Sequence, residues 1–103
     1  MTANSTRPMV SVVIPHYGGK DVLSECLISL KNGTYPNLEI IVVDNDSPDD
    51  SAQFITDNFS EVNLIQSEYN RGYAGGCNFG VQHAKGEYLL ILNNDTTHEP
   101  DWV

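Results

Sequence analysis

The 103-residue chain has few basic residues, few cysteines and no long apolar run, and each shortage excludes a class of protein. Five Lys and Arg against 14 Asp and Glu give a formal net charge of -9, which argues against nucleic acid as a ligand because nucleic acid favours a basic patch. The longest apolar runs, such as residues 88–92, are far shorter than the roughly 20 residues of a membrane-spanning helix. Cys26 and Cys77 are too few for a zinc site, and we expect reduced core thiols of a cytosolic protein rather than a disulfide.

The remaining composition is that of one small globular domain. Hydrophobic residues make up 40% of the chain and charged residues 18%, which separates it from disordered sequences. Residues 1–8 are polar, have no signal-peptide pattern and are expected to form a disordered leader, and residues 9–103 are expected to form the folded unit. Because the chain stops at residues 101–103, where another element is expected, we interpret it as truncated.

Short apolar stretches alternate with amphipathic ones along the chain. Stretches rich in β-branched or other apolar residues predict four buried strands, at residues 10–15, 38–43, 62–66 and 88–92. Apolar residues at helical spacing predict helices at residues 21–31 and 51–59, and a third that begins at residues 73–76 and is closed by Lys85 and Gly86. Strands joined by crossover helices are parallel, and their apolar character predicts that both faces are covered. The predicted class is therefore α/β, a doubly wound, mainly parallel sheet in three α/β/α layers.

The carboxyl ends of the predicted strands are polar, whereas the opposite edge carries ordinary turns. The carboxyl ends carry residues 15–17, 44–46, 66–71 and 93–95, and three of the four are dense in Asp, Asn or Arg. Because open parallel sheets bind ligands at the carboxyl ends of their strands, the sequence predicts a polar ligand site at this edge. In so acidic a chain, a phosphate ligand needs a local positive element, which a divalent cation, a helix N-terminus or an Arg can supply.

Several sequence blocks at this edge have the order and spacing of a known family. They are Val-Ser-Val-Val-Ile-Pro-His-Tyr from Val10, Tyr-Pro-Asn-Leu-Glu-Ile-Ile-Val-Val-Asp-Asn from Tyr35, Asn-Arg-Gly-Tyr-Ala-Gly-Gly-Cys-Asn from Asn70, and Gly-Glu-Tyr-Leu-Leu-Ile-Leu-Asn-Asn-Asp from Gly86. Through them the chain resembles the N-terminal, Rossmann-like nucleotide-binding half of family 2 inverting glycosyltransferases, which have the GT-A fold. The blocks from Asn70 and around Asn93 look most like the bacterial branch that makes rhamnosyl- and galactofuranosyl-type transfers.

The resemblance implies a site for a nucleotide-diphospho-sugar of the UDP or dTDP type. Asp44 would accept the imide N–H of the pyrimidine ring, and Pro15 and Tyr17 would flank that ring. The other residues that the resemblance assigns to the nucleotide are Asp46, Asn70, Arg71, Gly75, Asn78 and Asn93. Residues 93–95 occupy the place of the family's Asp-x-Asp motif, so Asp95, with Asn93, would hold Mg²⁺ or Mn²⁺ through oxygen ligands.

The implied reaction is a single displacement at the anomeric carbon with inversion. A metal offsets charge on the leaving diphosphate, and a carboxylate base deprotonates the glycan acceptor. In this family the base lies downstream of the position of Asp95, and no residue up to Val103 matches it, so no catalytic residue is assigned. We therefore expect this chain to bind donor weakly, if at all, and to transfer nothing. The resemblance also implies cell-surface polysaccharide synthesis, either in the cytosol or at the inner membrane face.

Several of these residues also have structural interpretations. Asp44 can cap its own turn, and residues 49–50 are better explained by the helix N-terminus that they precede. Asp46 stands where family members often carry Gly, and Arg71 with its neighbouring glycines can serve as a helix-capping loop. His16 stands where the family often has Asn or Thr, and we expect it at the rim of the site.

Other functions remain open from the sequence alone. The chain can be a non-catalytic module that self-associates, for example as a homodimer that covers an exposed sheet edge. A sugar nucleotidyltransferase needs a Gly- and Arg-rich loop after the first strand, and residues 16–20 have the glycines without the arginine. A dehydrogenase is disfavoured because the glycines of residues 72–76 follow the third predicted strand and do not form a dinucleotide fingerprint.

Overall fold

The computed structural model describes residues 8–33 and 35–92, which form an alternating series of strands and helices. In chain order they are β1 (Val10–His16), α1 (Lys20–Lys31), β2 (Leu38–Asp44), α2 (Ser51–Asn58), β3 (Asn63–Gln66), α3 (Gly72–Val81) and β4 (Tyr88–Ile91). The order confirms the predicted four strands and three helices. The predicted leader, apart from Pro8, lies outside the described residues. No helix within the described ranges is long and apolar enough to cross a membrane.

All four strands are parallel and lie in the order β3-β2-β1-β4, which confirms the predicted doubly wound α/β class. Val13 in β1 is in register with Ile41 in β2 and with Ile91 in β4. The chain winds from β1 out to β3 and then crosses back through α3, so that β4 lies on the other side of β1. This reversal puts the switch point of the sheet beside the carboxyl end of β1, where open α/β sheets bind ligands.

Helices pack on both faces of the sheet. On one face α1 and α2 meet alternate residues of β1 and β2 in a core that includes Val12, Ile14, Leu23, Cys26, Leu27, Leu30, Val42 and Ile55. On the other face the core is smaller and includes Val13, Ile41 and Val43, with Phe79 and Val81 of α3 packed against them. Cys26 and Cys77 are both buried, as predicted, and are not joined in a disulfide.

The third helix ends at Val81, earlier than the predicted closure at Lys85 and Gly86. The chain continues to turn after it, because the N–H of His83 donates to the carbonyl of Gly80 and the N–H of Ala84 donates to that of Val81. These bonds span three residues, the tighter pattern that often closes a helix. The apolar spacing at this end therefore indicated a turn and not a further α-helical segment.

The prediction that both faces of every strand are covered is wrong for β4. Leu89 and Ile91 are each 44% exposed, and Tyr88 is 60% exposed. β4 is one of the two edge strands of the described sheet, and α3 packs on the two central strands. The apolar composition of residues 88–92 thus predicted a strand correctly. It could not predict the position of that strand in the sheet, and this position decides how much of the strand is covered.

Candidate functional site

The loops that follow β1 and β2 are bonded to each other at the carboxyl edge of the sheet. Gly18 and Gly19 both have left-handed backbone angles, with φ of 69° and 80°. The Gly18 N–H donates to the hydroxyl of Ser47 at 2.9 Å, and the Gly19 N–H donates to Oδ2 of Asp49 at 3.0 Å. The Ser47 hydroxyl in turn donates to Oδ1 of Asp44. The two loops therefore form one bonded unit above the sheet.

The acidic residues of the β2–α2 loop have separate structural roles. Asp46 has a left-handed φ of 60°, a conformation that Gly adopts without strain. Asp49 accepts the Ser51 hydroxyl and, at 3.1 Å, the Ser51 N–H, and the hydroxyl bond is the main cause of the lowered pKa of Asp49. Asp50 pairs with Nζ of Lys20 at 2.8 Å. The geometry supports the structural interpretation of Asp49 and Asp50.

Asn45, directly after β2, joins the sheet to the start of α3. Its side chain is buried, its Nδ2 donates to the carbonyl of Gly72 at 3.3 Å, and its Oδ1 accepts the Arg71 N–H at 3.4 Å. The helix fits against it because residue 76 is Gly: a Cβ there would lie 2.7 Å from Nδ2 of Asn45 and 3.2 Å from Cβ of Pro15. The sequence placed residues 44–46 at the polar edge, but Asn45 was not among the residues predicted to contact the nucleotide.

Arg71 is anchored by the loop between β3 and α3. Its Nε donates to the hydroxyl of Ser67 at 2.8 Å, and its Nη1 donates to the hydroxyl of Tyr69 at 3.1 Å. The guanidinium carbon lies 4.6 Å from the ring centre of Tyr69 and 4.0 Å from that of Phe79. Ser67 also donates its N–H to the carbonyl of Asp44 at 2.9 Å. Arg71 is thus a fixed positive charge that is linked through Ser67 to the end of β2.

A cleft of about 220 Å³ opens between these loops. It is lined by Pro15, His16 and Tyr17 at the end of β1, Asn45 at the end of β2, and Asn70, Gly72 and Tyr73 at the start of α3. Tyr17 and Tyr73 are 54% and 56% exposed, and such aromatic side chains offer faces on which a flat ring can stack. Because α3 begins at the cleft, its N-terminal dipole also favours an anion there.

The sheet gathers the predicted nucleotide-binding residues at one edge but brings only some of them into the cleft. Among the described residues, Pro15, Tyr17 and Asn70 line it. The predicted residues that lie outside its lining are Asp44, Asp46, Arg71, Gly75 and Asn78. Asp44 is 5% exposed and stands in register with His16, at the level of the cleft, whereas Asn78 is exposed on α3 beyond its first turn.

The predicted metal ligands, Asn93 and Asp95, lie outside the described residues. They follow β4, and the Leu92 N–H donates to the carbonyl of Val13 at 3.0 Å, which holds this end of β4 beside β1. Across residues 8–33 and 35–92, no group of three or more His, Cys, Asp or Glu side chains can hold a metal ion. A metal at this edge would therefore depend on ligands beyond the described part of the chain.

His16 is buried, and the prediction that it lies at the rim is wrong. The residue is 1% exposed, and its Nε2 lies 2.9 Å from the hydroxyl of Ser51. β1 runs one residue further than predicted, and since side chains alternate along a strand, His16 falls on the same face as Ile14, under α1 and α2. Burial lowers the pKa of His16 and outweighs the opposite effect of the Asp44 and Asp49 carboxylates.

The buried His16 predicts a loss of stability on mild acidification. As pH falls, the unfolded chain takes up the His16 proton near its ordinary pKa, before the folded chain does, so the free energy of unfolding falls until the lower folded pKa is passed. This one group contributes a slope of at most about 1.4 kcal/mol per pH unit. Urea titrations of the chain between about pH 7.5 and 5 measure it, and His16→Gln should remove that part of the slope. Equal slopes in the two proteins would contradict the assignment.

The fold and the cleft define an α/β protein with a ligand site at the switch point of a parallel sheet. The family model described as glycosyl transferase family 2 matches residues 11–103, and the chain belongs to that family. A glycosyltransferase of Rickettsia typhi is 34% identical over 103 residues, which is 100% of this chain and 32% of that protein. The UDP-Glc:alpha-D-GlcNAc-diphosphoundecaprenol beta-1,3-glucosyltransferase WfgD of Escherichia coli is 33% identical over 89 residues, covering 84% of this chain and 35% of that protein. The chain thus spans about a third of the length of these relatives.

Solved glycosyltransferase structures have the same fold. S. aureus TarS in complex with UDP matches with a TM-score of 0.80 and 30% identity, over 90% of this chain and 29% of that one. The mannosyltransferase PcManGT from Pyrobaculum calidifontis, in complex with GDP-Man and Mn²⁺, matches with a TM-score of 0.79 and 28% identity, over 88% of this chain and 28% of that one. The four-stranded parallel sheet with its helices is therefore the α/β fold of GT-A glycosyltransferases.

Proposed function

We propose that the whole protein transfers a sugar, with inversion, from a UDP- or dTDP-type nucleotide-diphospho-sugar to a glycan acceptor, and that this chain holds the donor nucleotide. The observation that carries the proposal is the cleft at the switch point, which has two tyrosine faces, in a chain of glycosyl transferase family 2. The nucleotides bound in TarS and PcManGT support a nucleotide donor. The blocks around Asn70 and Asn93 favour a deoxyhexose such as rhamnose, or a related hexose.

The proposed acceptor is a glycan of cell-surface polysaccharide synthesis. The name of WfgD, which includes a diphosphoundecaprenol-linked acceptor, supports this class. A lipid-linked acceptor would place the protein in the cytoplasm, at the inner face of the membrane. We do not assign a catalytic residue within the chain, because the base is proposed to lie beyond Val103 in the whole protein.

In this proposal the nucleotide base lies between Pro15 and Tyr17, and Asp44 accepts its imide N–H. The carboxylate is suited to that role because Ser47 already bonds Oδ1 and thereby fixes the orientation of the group. Asn70 and the start of α3 lie on the side of the cleft toward which the ribose and diphosphate would extend. Arg71 and the N-terminus of α3 supply the positive elements that an anionic donor needs in so acidic a chain.

We propose further that Asp95, with Asn93, holds Mg²⁺ or Mn²⁺ beside the diphosphate. Carboxylate and amide oxygens are ligands that these cations prefer, and the pair follows the strand next to β1. The Mn²⁺ in PcManGT supports a metal in this fold. When bound, such an ion neutralises diphosphate charge. One carboxylate is a small ligand set, so metal affinity should be low without donor.

Nucleotide titration of the 103-residue chain tests the proposal, because we expect it to bind donor weakly and to transfer no sugar. UDP and dTDP should bind at the cleft, giving NMR shift changes at Tyr17 and Asn70, and Mn²⁺ (or, where its paramagnetism obscures signals, Mg²⁺) should tighten binding by about tenfold, the scale of one charge-assisted contact. Asp95→Ala should lose only the part of the nucleotide affinity that depends on the metal. Asp57→Ala, which removes the same charge from the exposed surface of α2, should lose nothing.

Three results would contradict the proposal, each in a different part. A stable dimer without nucleotide affinity would favour the self-associating module, for which the exposed apolar surface of β4 is the available interface. Equal effects of Asp57→Ala and Asp95→Ala on the Mn²⁺ dependence would show that general charge, and not a metal site, is responsible. Turnover of a nucleotide-sugar by the chain alone would contradict the proposed position of the base beyond Val103.

A further inference from the structure

A continuous series of hydrogen bonds runs from buried His16 to the loop that carries Tyr17. Nε2 of His16 lies 2.9 Å from the Ser51 hydroxyl, that hydroxyl bonds to Oδ1 of Asp49, and Oδ2 of Asp49 accepts the Gly19 N–H at 3.0 Å. The series joins the end of β1, the start of α2 and the β1–α1 loop. Because Gly19 follows His16 by three residues, the hydrogen bonds and the backbone between these two residues form a closed ring.

The direction of each bond follows from the number of protons available. A carboxylate only accepts, so the single proton of the Ser51 hydroxyl goes to Asp49. The same hydroxyl must then accept from His16, which requires a proton on Nε2. The lowered pKa of Asp49 agrees with an ionised acceptor at the centre of the series. Turning the Ser51 proton toward His16 would leave the Asp49 carboxylate facing a hydroxyl lone pair, an acceptor against an acceptor, so the series favours one arrangement of the three side chains.

The series bonds to a backbone segment with an uncommon conformation. Gly18 and Gly19 are both left-handed, and between them they make the sharp change of direction from β1 into α1. Tyr17, immediately before them, is 54% exposed and lines the cleft. The position of its ring therefore depends on bonds that the loop makes elsewhere, and the Gly19 bond to Asp49 is one of them.

We propose that His16 is a positioning residue: through Ser51 and Asp49 it fixes the backbone at Gly19 and thereby the Tyr17 wall of the cleft. The part of this inference that concerns nucleotide affinity rests on the proposed function, but the part that concerns the loop does not. His16 also lines the cleft, but its side chain is buried and its Nε2 faces the Ser51 hydroxyl, so the role proposed for it acts through the loop. Its imidazole spans from the end of β1 to the start of α2, where Nε2 meets the Ser51 hydroxyl.

The chain offers a matched pair of serines for the test. Ser51 and Ser11 are both 0% exposed, and both hydroxyls bond on two sides. Ser11 lies at the other end of β1, where it donates to Oε1 of Glu39 at 2.7 Å and accepts the Gly86 N–H at 2.8 Å. Ser51→Ala and Ser11→Ala should therefore cost similar stability, but only Ser51→Ala should release Gly19.

Hydrogen exchange and ¹⁵N NMR of the nucleotide-free chain give the first readouts. We expect a proton on Nε2 of His16, and exchange at the Gly19 amide at least about tenfold faster in Ser51→Ala than in Ser11→Ala, since local opening sets the rate. His16→Gln, which retains an N–H donor, should keep exchange at the Gly19 amide slow, whereas His16→Leu should make it faster. An unprotonated Nε2, or equal Gly19 exchange in the two serine variants, would overturn the proposal.

UDP affinity gives the second readout and separates this inference from the proposed function. Ser51→Ala and His16→Leu should weaken UDP binding by about tenfold, the scale of one lost hydrogen bond, with His16→Gln and Ser11→Ala close to the unchanged chain. If the unchanged chain binds no UDP while Gly19 responds as expected, the proposed function fails and the positioning of the loop stands. If UDP binds and the four variants bind it equally, the link from His16 to the cleft is wrong.

Discussion

Replacement of Gly80 by Ala should destabilise the chain by about 2 kcal/mol, although Ala is the better helix former by about 1 kcal/mol. The reason is the close approach of α3 to the sheet, where a Cβ at residue 80 would lie 2.5 Å from Cγ1 of Val13 and 2.8 Å from Cγ2 of Val43. Both valines are fully buried in central strands, so neither side chain can move aside without displacing the core. For a domain of this size the change corresponds to a melting temperature lower by roughly 8–16 °C, measured by circular dichroism.

Two further variants isolate the steric cause. Ala74→Gly, at an exposed position of α3, measures the helix-propensity difference alone and should cost at most about 1 kcal/mol. Val13→Ala should remove the closer of the two contacts and leave the one with Val43, so that Gly80→Ala is less harmful in the Val13→Ala background than alone, by about 1 kcal/mol. Additive effects of the two substitutions would show that the helix is not pressed against Val13, and would contradict the packing described here.

The parts of the fold that could be predicted are those decided by neighbours in sequence. β1 and β2 are rich in β-branched residues and end in polar ones, and the spacing of Leu23, Cys26, Leu27 and Leu30 marks one side of α1. These patterns gave the alternating order, and that order with right-handed crossovers leaves few topologies other than a parallel sheet. The exposure of β4 could not be predicted in this way, because it depends on which strand lies at the edge.

The parts of the site that could not be predicted depend on contacts between distant residues. From the sequence His16 was expected in a loop, whereas its burial depends on the face of β1 that α1 and α2 cover, where its partner Ser51 lies 35 positions along the chain. Arg71 was predicted as a nucleotide contact because it is basic and near the edge, whereas its stacking on Phe79 requires α3 to be in place first. Asn45 was placed at the polar edge but given no role of its own, because its bonds to Arg71 and Gly72 join residues 26 and 27 positions apart. The polar residues at the strand ends indicated this edge, but the bonds that organise it join residues far apart in sequence.

Replacement of Asp44 should reduce nucleotide affinity more than any other substitution considered for the cleft. Its side chain is 5% exposed, Oδ1 is bonded by Ser47, and its backbone carbonyl accepts the Ser67 N–H, so the carboxylate is held in one orientation at the end of β2. If it accepts the imide N–H of a pyrimidine, Asp44→Ala should weaken UDP binding between about tenfold and 100-fold, the range for a hydrogen bond to a charged group. Asp44→Asn keeps an oxygen acceptor without the charge, and should fall between Asp44→Ala and the unchanged chain.

Methylation of the ligand at N3 decides whether that loss comes from the imide bond. UDP methylated at N3 has no proton to donate, so the unchanged chain should bind it as weakly as Asp44→Ala binds UDP. Asp44→Ala itself should bind UDP and N3-methyl-UDP alike, because the bond that distinguishes them is already lost, and the two penalties should therefore not add. Ser47→Ala controls for disturbance of the loop, since it removes a partner of Asp44 and keeps the carboxylate, and it should still prefer UDP. Additive penalties for methylation and Asp44→Ala would assign the imide N–H to another group and leave Asp44 as the residue that orders its own loop.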